Sequence, residues 1–347
     1  MSQSVQGPDH GARDKEPDST DSGSTPQPRP TFLAHLSRIV RWVLIVAVVG
    51  FSIWYFASVW DSVLPALLRM NPGWVALSAV ALLAGLIANV IAWSTILHGL
   101  GHPVPFIRSA QVMLVGQLGK YVPGSVWAYV LQMELGRQYG VARARVLVTS
   151  LYAAGIGVVS SLILGAFSLP RIAAGHPTLL WLFLLLPVGL ICLHPRVMTF
   201  LANLALRVFR RPPLEHRVRF STIAQAIGWS LASYLLYGVH LWLLTDGDVP
   251  FSDVLLFAGA LSLGFTAGLF AFILPSGVGI REAVLIGLLG LVVTTGDASA
   301  ISLVSRGMFT AGDLLTAGIA AIAAFGLRRR LHRADVARAE YEDVRES

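Results

Sequence analysis

Cysteine is nearly absent from this 347-residue chain, and charge is scarce. The single cysteine, Cys192, sits in an apolar run, so neither a disulfide nor a cysteine metal cluster is available. Charged residues make up only 13% of the sequence against 55% hydrophobic residues, and mean hydropathy is +0.67, which excludes an ordinary soluble domain. A phosphate-cradling glycine loop, a serine nucleophile elbow and a zinc signature are missing too, so nothing here argues for covalent chemistry, and neither an enzyme nor a cofactor is expected. What remains is a succession of long apolar runs. They predict an all-α polytopic membrane protein of about six to eight transmembrane helices.

The net charge of +7 and pI near 10.0 suggest nucleic acid in a soluble protein, but here the arginines cluster in short loops between apolar runs. They read as topology signals and anionic-lipid contacts. Residues 1–30, rich in Ser, Gly, Pro, Asp and Thr, cannot bury enough apolar surface to offset ordering entropy and read as a disordered cytoplasmic tail. Residues 31–327 form the expected membrane domain, and 328–347 a charged cytoplasmic tail. The run 39–60 is too long for a signal-peptide core, and no clear small-residue cleavage site follows it, so it reads as a retained anchor. Further apolar runs cover about 74–97, 146–169, 179–193, 223–244 and 298–327.

Arg38 and Arg41 flank the start of the first run, Arg143 and Arg145 precede the third, and Arg207, Arg210, Arg211, Arg217 and Arg219 the fifth. The alternate loops hold only Arg69 and Arg171, and the loop at Asp246-Gly247-Asp248 has no basic residue. The basic loops belong in the cytoplasm, and Arg328-Arg329-Arg330 places the C-terminus there with the N-terminus, in the plasma membrane. The number of crossings is therefore even.

Two composite stretches, about 106–138 and 251–293, are broken by proline and glycine with charge beside the break: Lys120-Tyr121-Val122-Pro123-Gly124 and Leu274-Pro275-Ser276-Gly277-Val278-Gly279-Ile280-Arg281-Glu282. A proline removes a backbone donor, and the freed polar groups find no water in hydrocarbon, so such breaks survive only where they line a cavity. Six spans with two re-entrant hairpins fit the charge pattern, the Pro123 hairpin entering from the cytoplasm and the Pro275 hairpin from outside. Eight crossings, with the second stretch split into two spans, fit it equally.

Ionisable side chains at membrane depth mark a functional site, and half-helix N-termini offer amide donors and a positive dipole end to a phosphate or carboxylate. The candidate substrate-binding set is Lys120, Tyr121, Pro123, Gly124, Pro275, Ser276, Gly277, Gly279, Arg281, Glu282, Arg306 and Asp313. The bland reading is a snorkelling Lys120 and a structural Arg281 ion pair. Adjacent residues diverge by about 100° on a helix, so Arg281 and Glu282 need other partners. Arg306 and Asp313 share one helical stripe, and a network in which Arg306 meets Glu282 and Asp313 meets Arg281 neutralises all four.

Other features read as structural. Glu134 and Arg137 are spaced for a simple exposed pair. Asp246 and Asp248 have the spacing of a metal-binding acidic pair, but aspartate and glycine also make turns. His98 and His102 are four apart, but Gly99, Gly101 and Pro103 end any helix there. Residues 195–211 carry Val197, Leu201, Leu204 and Val208 at helical spacing with Arg196, Arg207 and Arg210, which suits either a helix lying in the membrane interface or a cytoplasmic connector.

Taken together, residues 119–126, Leu135-Gly136-Arg137, residues 274–283 and the later Arg306 resemble the transmembrane region of lysylphosphatidylglycerol synthases over roughly residues 35–330. The resemblance implies a flippase-like domain that moves a phospholipid or similar amphiphile between leaflets, with Lys120, Pro123, Gly124, Arg281, Glu282 and Arg306 along the pathway. Full synthases carry a cytosolic aminoacyl-transferring domain after this region. Here only a short charged segment follows, so lysine transfer is not expected. The expected partners are membrane lipids, an anionic phospholipid or polyprenyl-linked amphiphile, and not nucleic acid. The competing expectations are a non-catalytic membrane partner of an envelope lipid or glycan synthase, and a lipid-linked sugar transferase using Asp246 and Asp248.

Overall fold

Asn71 and Pro72 start the helix Pro72–Gly99 through simple geometry. The Asn71 side-chain oxygen accepts the Gly73 N–H at 2.9 Å, and Pro72 occupies a position whose amide would have no helical partner anyway. The computed structural model describes residues 67–101, 103–122, 126–167, 195–208, 218–270 and 277–346, plus scattered positions elsewhere. The tail 1–30 and most of the runs 39–60 and 179–193 lie outside the described residues, as do Cys192, His102, Pro123, Gly124, Pro275 and Ser276. The described residues all fall within one compact unit, Arg41–Ser347.

Among the described residues every regular element is helical. In chain order these are α1 (Pro72–Gly99), α2 (Phe106–Gln117), a 3₁₀ turn (Leu118–Tyr121), α3 (Val126–Arg137), α4 (Arg143–Ala166) and α5 (Pro195–Val208). There follow α6 (Phe220–Leu243), a 3₁₀ turn (Phe251–Asp253) that runs into α7 (Val254–Phe270), α8 (Ile280–Leu289) and α9 (Thr295–Glu346). Among the described residues four stretches are long and apolar enough to cross a membrane: α1, α4, Phe251–Phe270 and Thr295–Gly326 of α9. The 24-residue α6 is long enough but less apolar, because Gln225, His240 and several serines interrupt it. Its Ser230, Ser233 and His240 are buried among neighbouring helices. Nor does α9 stop at Arg328; the helix continues to Glu346, where a separate tail was expected.

α1 and α6 run antiparallel. At one end the Asp246 carboxylate after α6 accepts the Asn71 N–H at 3.3 Å, and at the other Gly99 lies against Thr222. Arg108, Arg137, Arg143, Arg145 and Arg219 belong to the helix termini of the Gly99 end, whereas Asp246, Asp248 and Asp297 belong to the Asn71 end.

The two broken stretches fold as hairpins entering from opposite ends. α2 and α3 pack on one another, and Gly119 lies so close to the Ala128 backbone that a Cβ there would come within 2.5 Å of its nitrogen. At about 1.5 Å rise per residue, each 12-residue arm is roughly 18 Å long and falls short of a bilayer core of about 30 Å. α7 and α8 form the second hairpin, closed at its base where Val292 and Val293 approach Asp248 and Val249. Ten-residue α8 is too short to cross, which removes the eight-crossing alternative at this segment. Gly277 has φ +66°, and a Cβ on it would lie 2.5 Å from the Gly268 Cα, so the return arm approaches α7 backbone to backbone.

Candidate functional site

Both hairpin tips are tied to α9. Arg306 forms an ion pair with Glu282, whose other oxygen accepts the Gly279 N–H at 2.7 Å and so caps α8. Two turns further along α9, Asp313 receives the Lys120 ammonium and the Tyr121 hydroxyl, each at 2.6 Å. The Asp313 side chain is 1% exposed and that of Lys120 31%. Val122 and Val278, one from each break, pack against the same apolar cluster, which brings the two tips together.

The expected network is therefore only half as drawn. Arg306 does meet Glu282, but Asp313 turns to Lys120 and Tyr121 rather than to Arg281. The reason is topological: the first hairpin delivers a lysine and a phenol to the face of α9 that carries Asp313. Arg281 instead lies over Phe265, 4.3 Å from the ring centroid, and over Phe309 at 4.9 Å. These aromatic faces stabilise a desolvated guanidinium by up to about 2 kcal/mol. Arg281 is 5% exposed, and its Nη2 has no hydrogen-bond partner among the described residues.

Arg281 lines a cavity of about 290 Å³. The first hairpin contributes Gln117, Lys120, Tyr129 and Gln132 to its wall, and the second Phe265, Thr266, Gly277 and Arg281. α1 adds Asn89 and Trp93, α4 Ser150, α6 Ser230 and Tyr234, and α9 Phe309. Lys120, Gly277 and Arg281 of the candidate set thus face the cavity directly. Tyr121, Glu282, Arg306, Asp313 and the Gly279 cap stand behind the wall and hold its parts in register.

Residues 39–335 match the family described as the lysylphosphatidylglycerol synthase transmembrane region. The chain belongs to that family. A search of curated proteins finds no match. Membership of the synthase transmembrane-region family establishes a membrane protein in which both broken hairpins fall inside the matched region.

Sequence reasoning missed the neutral part of the site. Asn89, Gln117 and Gln132 are amides in helices otherwise rich in apolar residues, and that polarity was the available signal. It also missed His240, which is fully buried. One ring nitrogen contacts the Ser78 hydroxyl at 2.6 Å and the other the Ser305 hydroxyl at 3.0 Å, stapling α1, α6 and α9. Glu134 pairs with Arg137 at 3.1 Å and also with Arg143 at 2.5 Å, clamping the turn between α3 and α4. Asp246 has φ +54° and serves the turn beside Asn71, and the His98 ring bonds the Val104 carbonyl at 2.9 Å. On α5, Arg196, Phe200, Leu204 and Arg207 are exposed along one stripe of the helix.

Proposed function

We propose that this chain translocates an anionic amphiphile, a phospholipid or a polyprenyl-linked lipid, between the leaflets of the plasma membrane. The observation that carries this reading is Arg281: a guanidinium buried at membrane depth, with one nitrogen that has no hydrogen-bond partner among the described residues, facing a cavity whose walls come from two hairpins of opposite entry. A buried cation with no carboxylate in direct contact among the described residues is costly in hydrocarbon, and an anionic headgroup supplies such a partner. Helical breaks at the bilayer interior in two opposed elements are the arrangement that alternating-access carriers use. The acyl chains stay in lipid while the headgroup passes between the hairpins.

Arginines at the Gly99 end and aspartates at the Asn71 end favour the former as cytoplasmic, so that the first hairpin enters from inside. The role is transport rather than covalent catalysis. The test is lipid scrambling in proteoliposomes with acyl-labelled lipids and a membrane-impermeant quencher. The purified chain is expected to accelerate loss of the protected inner-leaflet signal for an anionic lipid. Rates equal to those of empty vesicles for every phospholipid and polyprenyl phosphate tested would remove the reading and favour a non-catalytic partner of an envelope synthase.

A further inference from the structure

Asp313 has a spare oxygen. It sits near the middle of the crossing stretch Thr295–Gly326, and its side chain is 1% exposed. Lys120 and Tyr121 both bind Oδ2, so Oδ1 is buried with no hydrogen-bond partner among the described residues. Glu282 offers no such opening, because Arg306 and the Gly279 N–H take one oxygen each. A proton can therefore settle on Asp313 Oδ1 without displacing a hydrogen bond, and the Tyr121 hydroxyl still donates to Oδ2. A metal ion is a poorer occupant, since it needs a shell of oxygen ligands, and no group of three acidic, histidine or cysteine side chains gathers among the described residues.

Few other charged or titratable groups surround Asp313. The 3₁₀ turn brings Lys120 and Tyr121, α8 brings Arg281 within electrostatic reach but not into contact, and α6 brings Tyr237. Glu282 and Arg306 pair with each other two turns away, while α1 and α2 carry only His98 and Arg108, each at the Gly99 end.

Charge then decides what must accompany the lipid. Lys120 and Asp313 cancel, as do Arg306 and Glu282, which leaves the site without lipid the single positive charge of Arg281. An anion held by Arg281 shares a cavity of about 290 Å³ with the Lys120 ammonium and competes with Asp313 for it. Two negative charges in one desolvated space favour uptake of a proton by one of them. With that proton on Asp313 the site is again singly positive, so loading leaves its charge unchanged.

We infer that Asp313 is a proton-binding site that couples lipid movement to a proton: as the headgroup takes the Lys120 ammonium, Oδ1 takes one proton from water, and anion and proton cross and are released together. The pair carries no net charge. This rests on the translocation reading and adds the ion that travels with the lipid.

The experiment follows the leaflet ratio of acyl-labelled phosphatidylglycerol, a monoanionic phosphodiester, in proteoliposomes holding the purified full chain, with empty vesicles as the baseline. In one arm a pH difference is imposed with the voltage clamped by potassium and valinomycin; in the other a potassium diffusion potential is imposed at equal pH. One-to-one coupling predicts enrichment in the leaflet facing the alkaline side, approaching about tenfold per pH unit, and no response to the potential. An uncoupled anion ignores the pH difference and shifts by up to about fiftyfold per 100 mV. Asp313→Asn is expected to convert the first pattern into the second. Should that variant fail to fold, Lys120→Met/Asp313→Asn removes the same proton site without leaving an unpaired lysine and is expected to do likewise. A ratio that ignores the pH difference in the unmodified chain, or a pH response that survives in either folded variant, overturns the inference. Scrambling without coupling leaves the translocation reading standing; no scrambling of this lipid removes both.

Discussion

Glu282 does two jobs at once, and they separate by substitution. One oxygen neutralises Arg306, whose side chain is 6% exposed, while the other caps the start of α8 at Gly279. Glu282→Gln keeps an oxygen for the cap and loses the charge, so the expected cost lies near the lower end of about 3–5 kcal/mol for breaking a buried pair. Glu282→Leu loses the cap as well and is expected to cost about 1 kcal/mol more. Adding Arg306→Met to Glu282→Leu is expected to recover part of that loss, because the guanidinium that Glu282 neutralised is gone as well. Thermal unfolding of the purified variants, read as Tm, ranks the three. The Glu282–Arg306 pair was legible in sequence because neighbouring residues on a helix cannot pair with each other. Asp313 was not, since its choice of Lys120 and Tyr121 depends on how deep an opposing hairpin reaches.

At the scale of elements, the second hairpin depends on a backbone contact that only glycine permits. Gly277 combines a positive φ with an approach to Gly268 that leaves no room for a Cβ, whereas Gly287 in α8 has open space around it. Gly277→Ala is therefore expected to push α8 away from α7, lower Tm and reduce lipid transfer at least tenfold by displacing Arg281. Gly287→Ala is expected to leave transfer unchanged and to raise stability by up to about 1 kcal/mol through helix propensity. Parallel Tm and scrambling measurements on the two variants compare them directly. The breaks themselves were readable because proline and glycine within apolar runs have few structural uses in a membrane. Their hairpin character needed helix lengths: α8 ends at Leu289, a boundary that apolar composition through Val293 does not announce.

Across the molecule, two hairpins enter from opposite ends, and their tips are held on α9 by Glu282–Arg306 and by Lys120 and Tyr121 on Asp313. The resulting cavity has a buried cation at one wall and neutral amides and hydroxyls around it. The cation was apparent in the sequence beside its break. The amides were not, because Asn89 and Gln117 are single polar residues far apart in the chain, and only folding turns them to a common space. Translocation through that cavity requires Arg281. The most direct measurement is the initial scrambling rate of an acyl-labelled anionic phospholipid in proteoliposomes, comparing the unmodified chain with Arg281→Ala at equal reconstitution. A loss of at least tenfold, in a variant that stays folded, is the expected result. Unchanged scrambling in a folded Arg281→Ala variant would contradict a pathway through this site.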